Sequence, residues 1–388
     1  MNFDRRLFLR IMFFSPVLLL LSPWIRAFSQ ELHQKRFSII NRDKPLVLRV
    51  EGSDIIAKNV EPENYLEAIQ VDKLALMLEE GIKSFSNQTE LRQAWLYILN
   101  DYSPGDKIAI KPNFNFVNHG NKYTITSPQL INSVVKQLVE VVGMNPEDIY
   151  LYDLCKKIPT EIVKRKISYP INYIERIDAN SIIDKFKLRL YYGLASGDPK
   201  AMIQMRENII DEEGDPVKCY VPKVLTIVKH IINMPLLTNH IYISNSGALK
   251  NHYGTVRFNN FNPYPVALHG KVLEKSIVDI NRAPHIKNKT KIIIADGLFG
   301  VFNRGEGAGK KEWRIFNNSF PKSIFISKDP VAMDSIMATY INQERNQQGF
   351  ELLSTGYLYD AMHNGLGICE IRDKDDKFEN IQYLTLKI

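Results

Sequence analysis

Cysteine is scarce in this chain of 388 residues: there are three, Cys155, Cys219 and Cys369, far apart and never paired as C-x-x-C. A disulfide framework, a thiolate zinc site and a self-contained iron–sulfur cluster therefore have no support. A large excess of one charge is missing too. Arg5, Arg6, Arg10 and Arg26 against Asp4 place +3 of the formal +7 in the first 29 residues, leaving +4 over the rest. The longest basic run, Lys164-Arg165-Lys166, has no aromatic residues interleaved, so there is no electrostatic footprint for nucleic acid. No G-x-S-x-G elbow is present for serine hydrolase chemistry. No apolar run reaches the roughly 20 residues that a helix needs to cross a bilayer. What remains is an ordinary globular composition, 45% hydrophobic and 24% charged, long enough for one large domain or two smaller ones.

The first 29 residues carry the clearest local signal. Asp4-Arg5-Arg6-Leu7-Phe8-Leu9-Arg10 sets twin arginines before large apolar residues, and the apolar run Ile11 to Leu21 follows at once. Ala27-Phe28-Ser29 then supplies small residues at the −3 and −1 positions of a cleavage site. The segment resembles a twin-arginine (Tat) signal peptide. That resemblance implies the Tat export machinery as a partner, a periplasmic or otherwise exported location, and no permanent transmembrane anchor. The route carries proteins that fold before crossing, often around a cofactor.

Beyond the signal, short β-branched runs alternate with segments of helical period. Tyr65 to Phe85 reads as an amphipathic helix and Lys107 to Lys111 as a strand. Ser127-Pro128 opens a helix whose apolar positions Ile131, Val134, Val135, Leu138 and Val141 run to Gly143. Further strands are expected at 149–152, 228–234, 291–295 and 323–326, the last followed by Asp329-Pro330 as a helix start. The fold class is α/β, a mostly parallel sheet with βαβ units and flanking helices. The expected organisation is residues 1–29 as signal, 30–100 as an N-terminal extension of a strand plus helices, and 101–388 as the α/β domain.

Asp153 and Asp296 each close an apolar strand, with Asn113 in a similar place, and strand ends of a parallel sheet face one crevice where ligands bind. Four of the eight histidines fall between His230 and Gly270. Ile231-Ile232-Asn233-Met234-Pro235-Leu236-Leu237-Thr238-Asn239-His240, Gly247-Ala248-Leu249-Lys250-Asn251-His252-Tyr253-Gly254 and Asp329-Pro330-Val331-Ala332-Met333-Asp334 stand in order with Lys111-Pro112-Asn113, Thr126-Ser127-Pro128 and Ala295-Asp296-Gly297. Together they resemble the DUF362 family over roughly Lys107 to Tyr340. Two features depart from that pattern. Thr238 stands where many relatives have lysine, and the ferredoxin-like cysteine cluster that many relatives append is missing, so an iron–sulfur electron-transfer role does not carry over.

Neutral imidazole binds transition metals and titrates near neutrality, which makes His240 and His269, with Asp153, the candidate ligands of a transition metal. Their spacing matches no compact metal motif, and the commoner use of each histidine alone is as a satisfied polar or packing residue. Lys250, His252 and Asp296 are the candidate catalytic groups, and Asn113, Asn251 and Glu306 the candidate ligand contacts. Ser246-Gly247-Ala248-Leu249 reads as a helix start whose N–H groups favour an anion beside Lys250; an ordinary salt bridge is the alternative use of that lysine. Gly305 to Lys311 fails both the Walker and the dinucleotide patterns and reads as a glycine-rich loop over the crevice. The functional expectation is a metal- or cofactor-dependent enzyme acting on a small anionic substrate. The alternative is a non-catalytic periplasmic ligand-binding or accessory protein.

Overall fold

Central strands with no polar face need cover on both sides, and here Ile108–Pro112, Ile149–Asp153, His230–Met234 and Ser323–Ser327 are buried along their whole length. The computed structural model describes residues 41, 43–57, 65–114, 124–176, 193–211, 214–259, 265–304, 311–373 and 377–388. The twin-arginine segment and Glu306 lie outside these residues. Residues 42–388 form one unit.

In chain order that unit contains β1 (Leu46–Glu51), α1 (Val71–Ser86), α2 (Leu91–Ile98), β2 (Ile108–Pro112), α3 (Pro128–Lys136), β3 (Ile149–Asp153), β4 (Asn172–Glu175), β5 (Gly197–Ile203), β6 (Cys219–Pro222), α4 (Lys223–Ile227), β7 (His230–Met234) and β8 (Leu236–Thr238). Then come α5 (Ala248–Asn251), β9 (Arg257–Phe258), α6 (Leu273–Arg282), α7 (Pro284–Lys287), β10 (Thr290–Val301), β11 (Ser323–Ser327), α8 (Pro330–Gln348), α9 (Gly356–His363) and β12 (Gln382–Lys387). Among the described residues nine strands form the main sheet, in the order β12-β1-β11-β10-β7-β2-β3-β4 with β8 beside β10. Pairings through β4, β3, β2, β7, β10 and β8 are all parallel, and β1 is parallel to β12; only β11 runs against its neighbours. This is the expected mixed α/β fold with a large, mostly parallel sheet. A second, antiparallel sheet of β5, β6 and β9 lies off it.

The period-2 pleat sorts each strand between two cores. Ile108 and Ile110 of β2, Ile232 of β7 and Ile294 of β10 pack with α1, α2 and α3 on one face. Ala109 and Ile231 face the other core, which holds Leu249, Tyr253 and α6. Lys111 and Asn233 follow those two at even spacing, so polar side chains reach the face where α5 sits. Burial of this many branched side chains, each worth about 1.5–3 kcal/mol, holds those polar groups in place.

Three sequence expectations shift. The helix expected over 65–85 begins at Val71, because residues 55–57 and 68–70 bridge each other first: Ala57 N–H donates to Ala68 O and Gln70 N–H to Ile55 O. The strand expected to end at Asp296 continues to Val301, so Asp296 lies mid-strand. The 30–100 extension contributes β1 to the main sheet, between β11 and β12. No helix among the described residues is long and apolar enough to cross a membrane.

Candidate functional site

Lys111 and Asp153 end adjacent parallel strands, and the strands' register brings them together. Lys111 Nζ donates to Asp153 Oδ2 at 3.0 Å and to Pro112 O at 2.7 Å, with both side chains buried. Asp153 Oδ1 accepts from Cys155 N–H at 3.0 Å. Gly254 makes room for the pair: a Cβ there would stand 2.9 Å from Lys111 Nζ and 3.2 Å from Asp153 Oδ1. Asn251 ties the same corner together, donating to Lys111 O at 2.9 Å and Asn233 Oδ1 at 2.7 Å, while Asn233 donates to Ala248 O. His252 Nδ1 lies 3.1 Å from Thr255 Oγ1, which also meets the Tyr152 hydroxyl at 3.0 Å. Burial, helped by Lys111, pushes the His252 ring down to about 3, so it is a neutral imidazole at any ordinary pH.

The turn that carries these residues is held by a carboxylate from α8. Asp334 is fully buried and accepts from the backbone N–H of Ala248 and Leu249, the first two residues of α5. Gly247 is required by that approach, since a Cβ on it would fall 2.1 Å from Asp334 Oδ1. Desolvation raises the Asp334 carboxyl to about 7. An anion does occupy this helix start, as the pattern suggests, but it is the protein's own. The expectation that these N–H groups receive a ligand is corrected accordingly.

Lys250 points away from this network. It is 5% exposed, and its Nζ sits 4.1 Å from the centroid of the Tyr253 ring, a cation–π position. No carboxylate among the described residues forms an ion pair with it. Among the described residues, the one titratable group that favours its charged form is the Cys155 thiol. Desolvation, reinforced by Arg304, lowers Lys250 to about 7. The thiol itself is pushed up to about 12, chiefly by burial, so at neutral pH it supplies no charge. Tyr253 is fixed by donating its hydroxyl to Leu268 O and Leu273 O. Its ring meets His269 edge-on at 5.6 Å, and His269 lies 6.0 Å from His240.

His240 completes the group. Its Nδ1 accepts from Tyr242 N–H at 3.3 Å, which leaves the proton of the neutral ring on Nε2. Burial first, then Lys250, Arg304 and His269, drives the ring down to about 2. Arg304 is 9% exposed, with its backbone clipped by Asn239, whose Oδ1 accepts from Arg304 N–H and whose Nδ2 donates to Arg304 O. Burial lowers the guanidinium to about 10, still charged at neutral pH. Lys250 and His269 thus meet the Tyr253 ring, His240 lies beside His269, and Arg304 acts electrostatically on both Lys250 and His240.

The sequence-derived candidates therefore divide. Lys250, His240 and His269 come together. Asn251, His252 and Asp153 join Lys111 in the neighbouring hydrogen-bonded corner. Asp296 stands apart: its Oδ2 accepts from Ser127 N–H at 2.8 Å and its Oδ1 from Leu298 N–H at 3.0 Å, which anchors the start of α3. The backbone of Asn113 exchanges hydrogen bonds with Thr126, through N–H to Oγ1 and through O to N–H. Among the described residues no group of three or more His, Cys, Asp and Glu side chains is placed to hold a metal ion. With Asp153 joined to Lys111, the expected set of His240, His269 and Asp153 is not gathered into one three-ligand centre. Sequence reasoning does not single out Arg304, Tyr253, Lys111 or Asp334 as site residues. Lys111 alone leaves a trace, as a lysine in an otherwise apolar strand.

A search of curated proteins finds no match. The model of the family described as domain of unknown function (DUF362) matches residues 108–339, more than half of the chain and the stretch that carries both the Lys111 corner and the Lys250 cluster. The chain belongs to the DUF362 family.

Proposed function

We propose that this protein acts on a small anionic molecule, a carboxylate or a phosphate, held at Lys250. The observation that carries this reading is the Lys250 ammonium, buried and, among the described residues, in no ion pair with a carboxylate. A buried ammonium is costly unless an anion shares its site. The groups that fix the turn, Asn251, Asp334, Lys111 and Asp153, are all satisfied within the protein, so they hold Lys250 in position without competing for the ligand. A lysine near neutrality also exchanges a proton at physiological pH, as an acid–base catalyst must. We also retain export through the Tat route as part of this reading; it rests on the residues of the N-terminal segment.

The test is thermal unfolding of the full chain with phosphate, sulfate and a panel of small carboxylates. A ligand that binds only the folded state raises the melting temperature in proportion to its occupancy. Stabilisation by at least one of these anions that disappears in Lys250→Met supports the proposal; no stabilisation by any of them contradicts it. A second reading, binding without turnover, is favoured by one observation: His252, Asp153 and Asp296, which could serve as acid or base, are bonded internally. Binding of an anion with no chemical change to any candidate substrate would select it.

A further inference from the structure

His230 pairs with Ile108 at the start of two parallel strands, β7 and β2, whose other ends carry Asn233 and Lys111. Its ring is fully buried, and neither nitrogen has a hydrogen-bond partner among the described residues. A carboxylate faces it on each side instead: Asp101 Oδ1 lies 3.6 Å from Nδ1, and Asp106 Oδ2 lies 3.7 Å from Nε2. Both gaps are longer than a hydrogen bond. A neutral imidazole has one donor and one acceptor, so in either tautomer one lone pair faces a carboxylate oxygen. Only the imidazolium offers a donor to both.

The two carboxylates are already held by lysines. Lys229 Nζ donates to Asp106 Oδ2 at 2.8 Å and also to Asp101 O, while Lys291 Nζ, from β10, meets Asp101 Oδ1 at 3.0 Å. Tyr102 completes the surroundings, its ring centroid 6.2 Å from that of His230. Burial works against ionisation of the two acids, but the hydrogen bonds from Lys291 and Lys229 outweigh it and hold both below the usual carboxylate value. With the ring neutral, two negative charges meet two positive ones; a proton on His230 makes three cations for two anions. Burial first, then the two lysines, lowers the ring below its ordinary 6.5 against the pull of the carboxylates.

We infer that His230 is an acid-operated clasp: when its ring takes up a proton, it displaces its chain neighbour Lys229 from Asp106 and sets that ammonium free into solvent. Lys229 rather than Lys291 is the one to leave. Its side chain is 38% exposed against 16%, and it holds the same Asp106 oxygen that faces His230 Nε2. The exchange replaces a tie at the surface with a buried one at the start of β2 and β7. It needs no ligand and is independent of the anion site proposed at Lys250. Between the folded-state midpoint of the ring and 6.5, the unfolded chain holds the extra proton, so stability falls as pH drops through that window.

The test is an NMR titration of the full-length protein, isotopically labelled in its histidine and lysine side chains, with the His230 ring assigned through its contacts to Tyr102. The ring is expected to titrate below 6.5. The Lys229 side-chain resonance, assigned with Lys229→Met, should shift and sharpen at the same midpoint. Removing the competing cation in Lys229→Met should raise the His230 midpoint by at least about one pH unit, tenfold in proton affinity, whereas Asp106→Asn should lower it. Should Asp106→Asn fail to fold, the Lys229→Met shift still decides, because that change is made at a partly exposed side chain. A midpoint near 6.5 that Lys229→Met leaves in place, or a Lys229 resonance indifferent to the His230 titration, overturns the inference. So does a ring that stays unprotonated down to the pH at which the protein unfolds.

Discussion

Lys111, in β2, and Lys250, in α5, are both buried lysines, yet they live in opposite electrostatic settings. Lys111, 1% exposed, is held at 3.0 Å by Asp153 and by a backbone carbonyl. Lys250, 5% exposed, has the Tyr253 ring beside it, feels the charge of Arg304, acts in turn on His240, and forms no ion pair with a carboxylate among the described residues. A fold that can pair one buried ammonium evidently has the means to pair another. The difference marks the first as part of the scaffold and the second as the group left available to something that arrives from outside.

The comparison breaks most visibly if the scaffold pair is cut. Asp153→Ala leaves the Lys111 ammonium buried and uncompensated, and should cost about 3–5 kcal/mol of stability in urea unfolding. A loss under about 1 kcal/mol would mean that Lys111 is no better held than Lys250. Next in size is Asp334→Ala, which orphans the N–H groups of Ala248 and Leu249 and should cost about 3 kcal/mol. It should also abolish stabilisation by anions, because the turn bearing Lys250 loses its anchor, whereas Asp334→Asn, which keeps an acceptor, should retain part of it.

Lys250→Met is expected to have the opposite sign, raising stability by roughly 2 kcal/mol at neutral pH by removing a buried charge that no carboxylate among the described residues pairs. The pH dependence sharpens this. The folded-state value of Lys250, about 7, lies below its ordinary 10.5, so between these two pH values the unfolded chain binds more protons than the folded one. Stability should therefore rise with pH across that window, and the penalty is greatest below about pH 7, where the buried amine is charged in the fold. The difference in unfolding free energy between wild type and Lys250→Met should shrink as pH rises from 7 towards 10.5; parallel curves would show that Lys250 does not titrate in this range. Smallest of all, Gly254→Ala should cost about 1 kcal/mol by crowding Lys111 against Asp153, and should leave the anion response at Lys250 nearly unchanged.

How much of this is legible in the chain depends on how local each feature is. The β2-α3-β3 unit and the helix start at Asp329 are readable because their signals, a β-branched run, Ser-Pro and Asp-Pro, lie within a few residues. Asp329 does cap α8, accepting from Val331 and Ala332 N–H. The antiparallel course of β11 and the pairing of β1 with β12 are not readable, since those partners meet across the length of the chain. At the site, His240, His269 and Lys250 can be singled out by residue type, but their division from His252 and Asn251 cannot. Residues 248–255 form a tight helical turn that sends Lys250 towards Tyr253 and Asn251 towards Lys111. The carboxylate at the start of α5 comes from Asp334, 86 residues away in sequence, and no local pattern announces it. Asp296 looks like a strand end because Gly297 follows it, yet the strand runs on and the side chain turns to Ser127.

The most direct test is to observe the ionisation of Lys250 itself. Carbon-13 labelling of lysine side chains, with Lys250→Arg to assign the resonance, gives the titration midpoint of this amine in the full protein, alone and with sulfate. The account predicts a midpoint near 7 that moves upward when sulfate is added, because an anion favours the charged form. A midpoint at the ordinary lysine value that sulfate does not move would show an amine already paired or freely hydrated, and would contradict a buried amine kept for an anionic ligand.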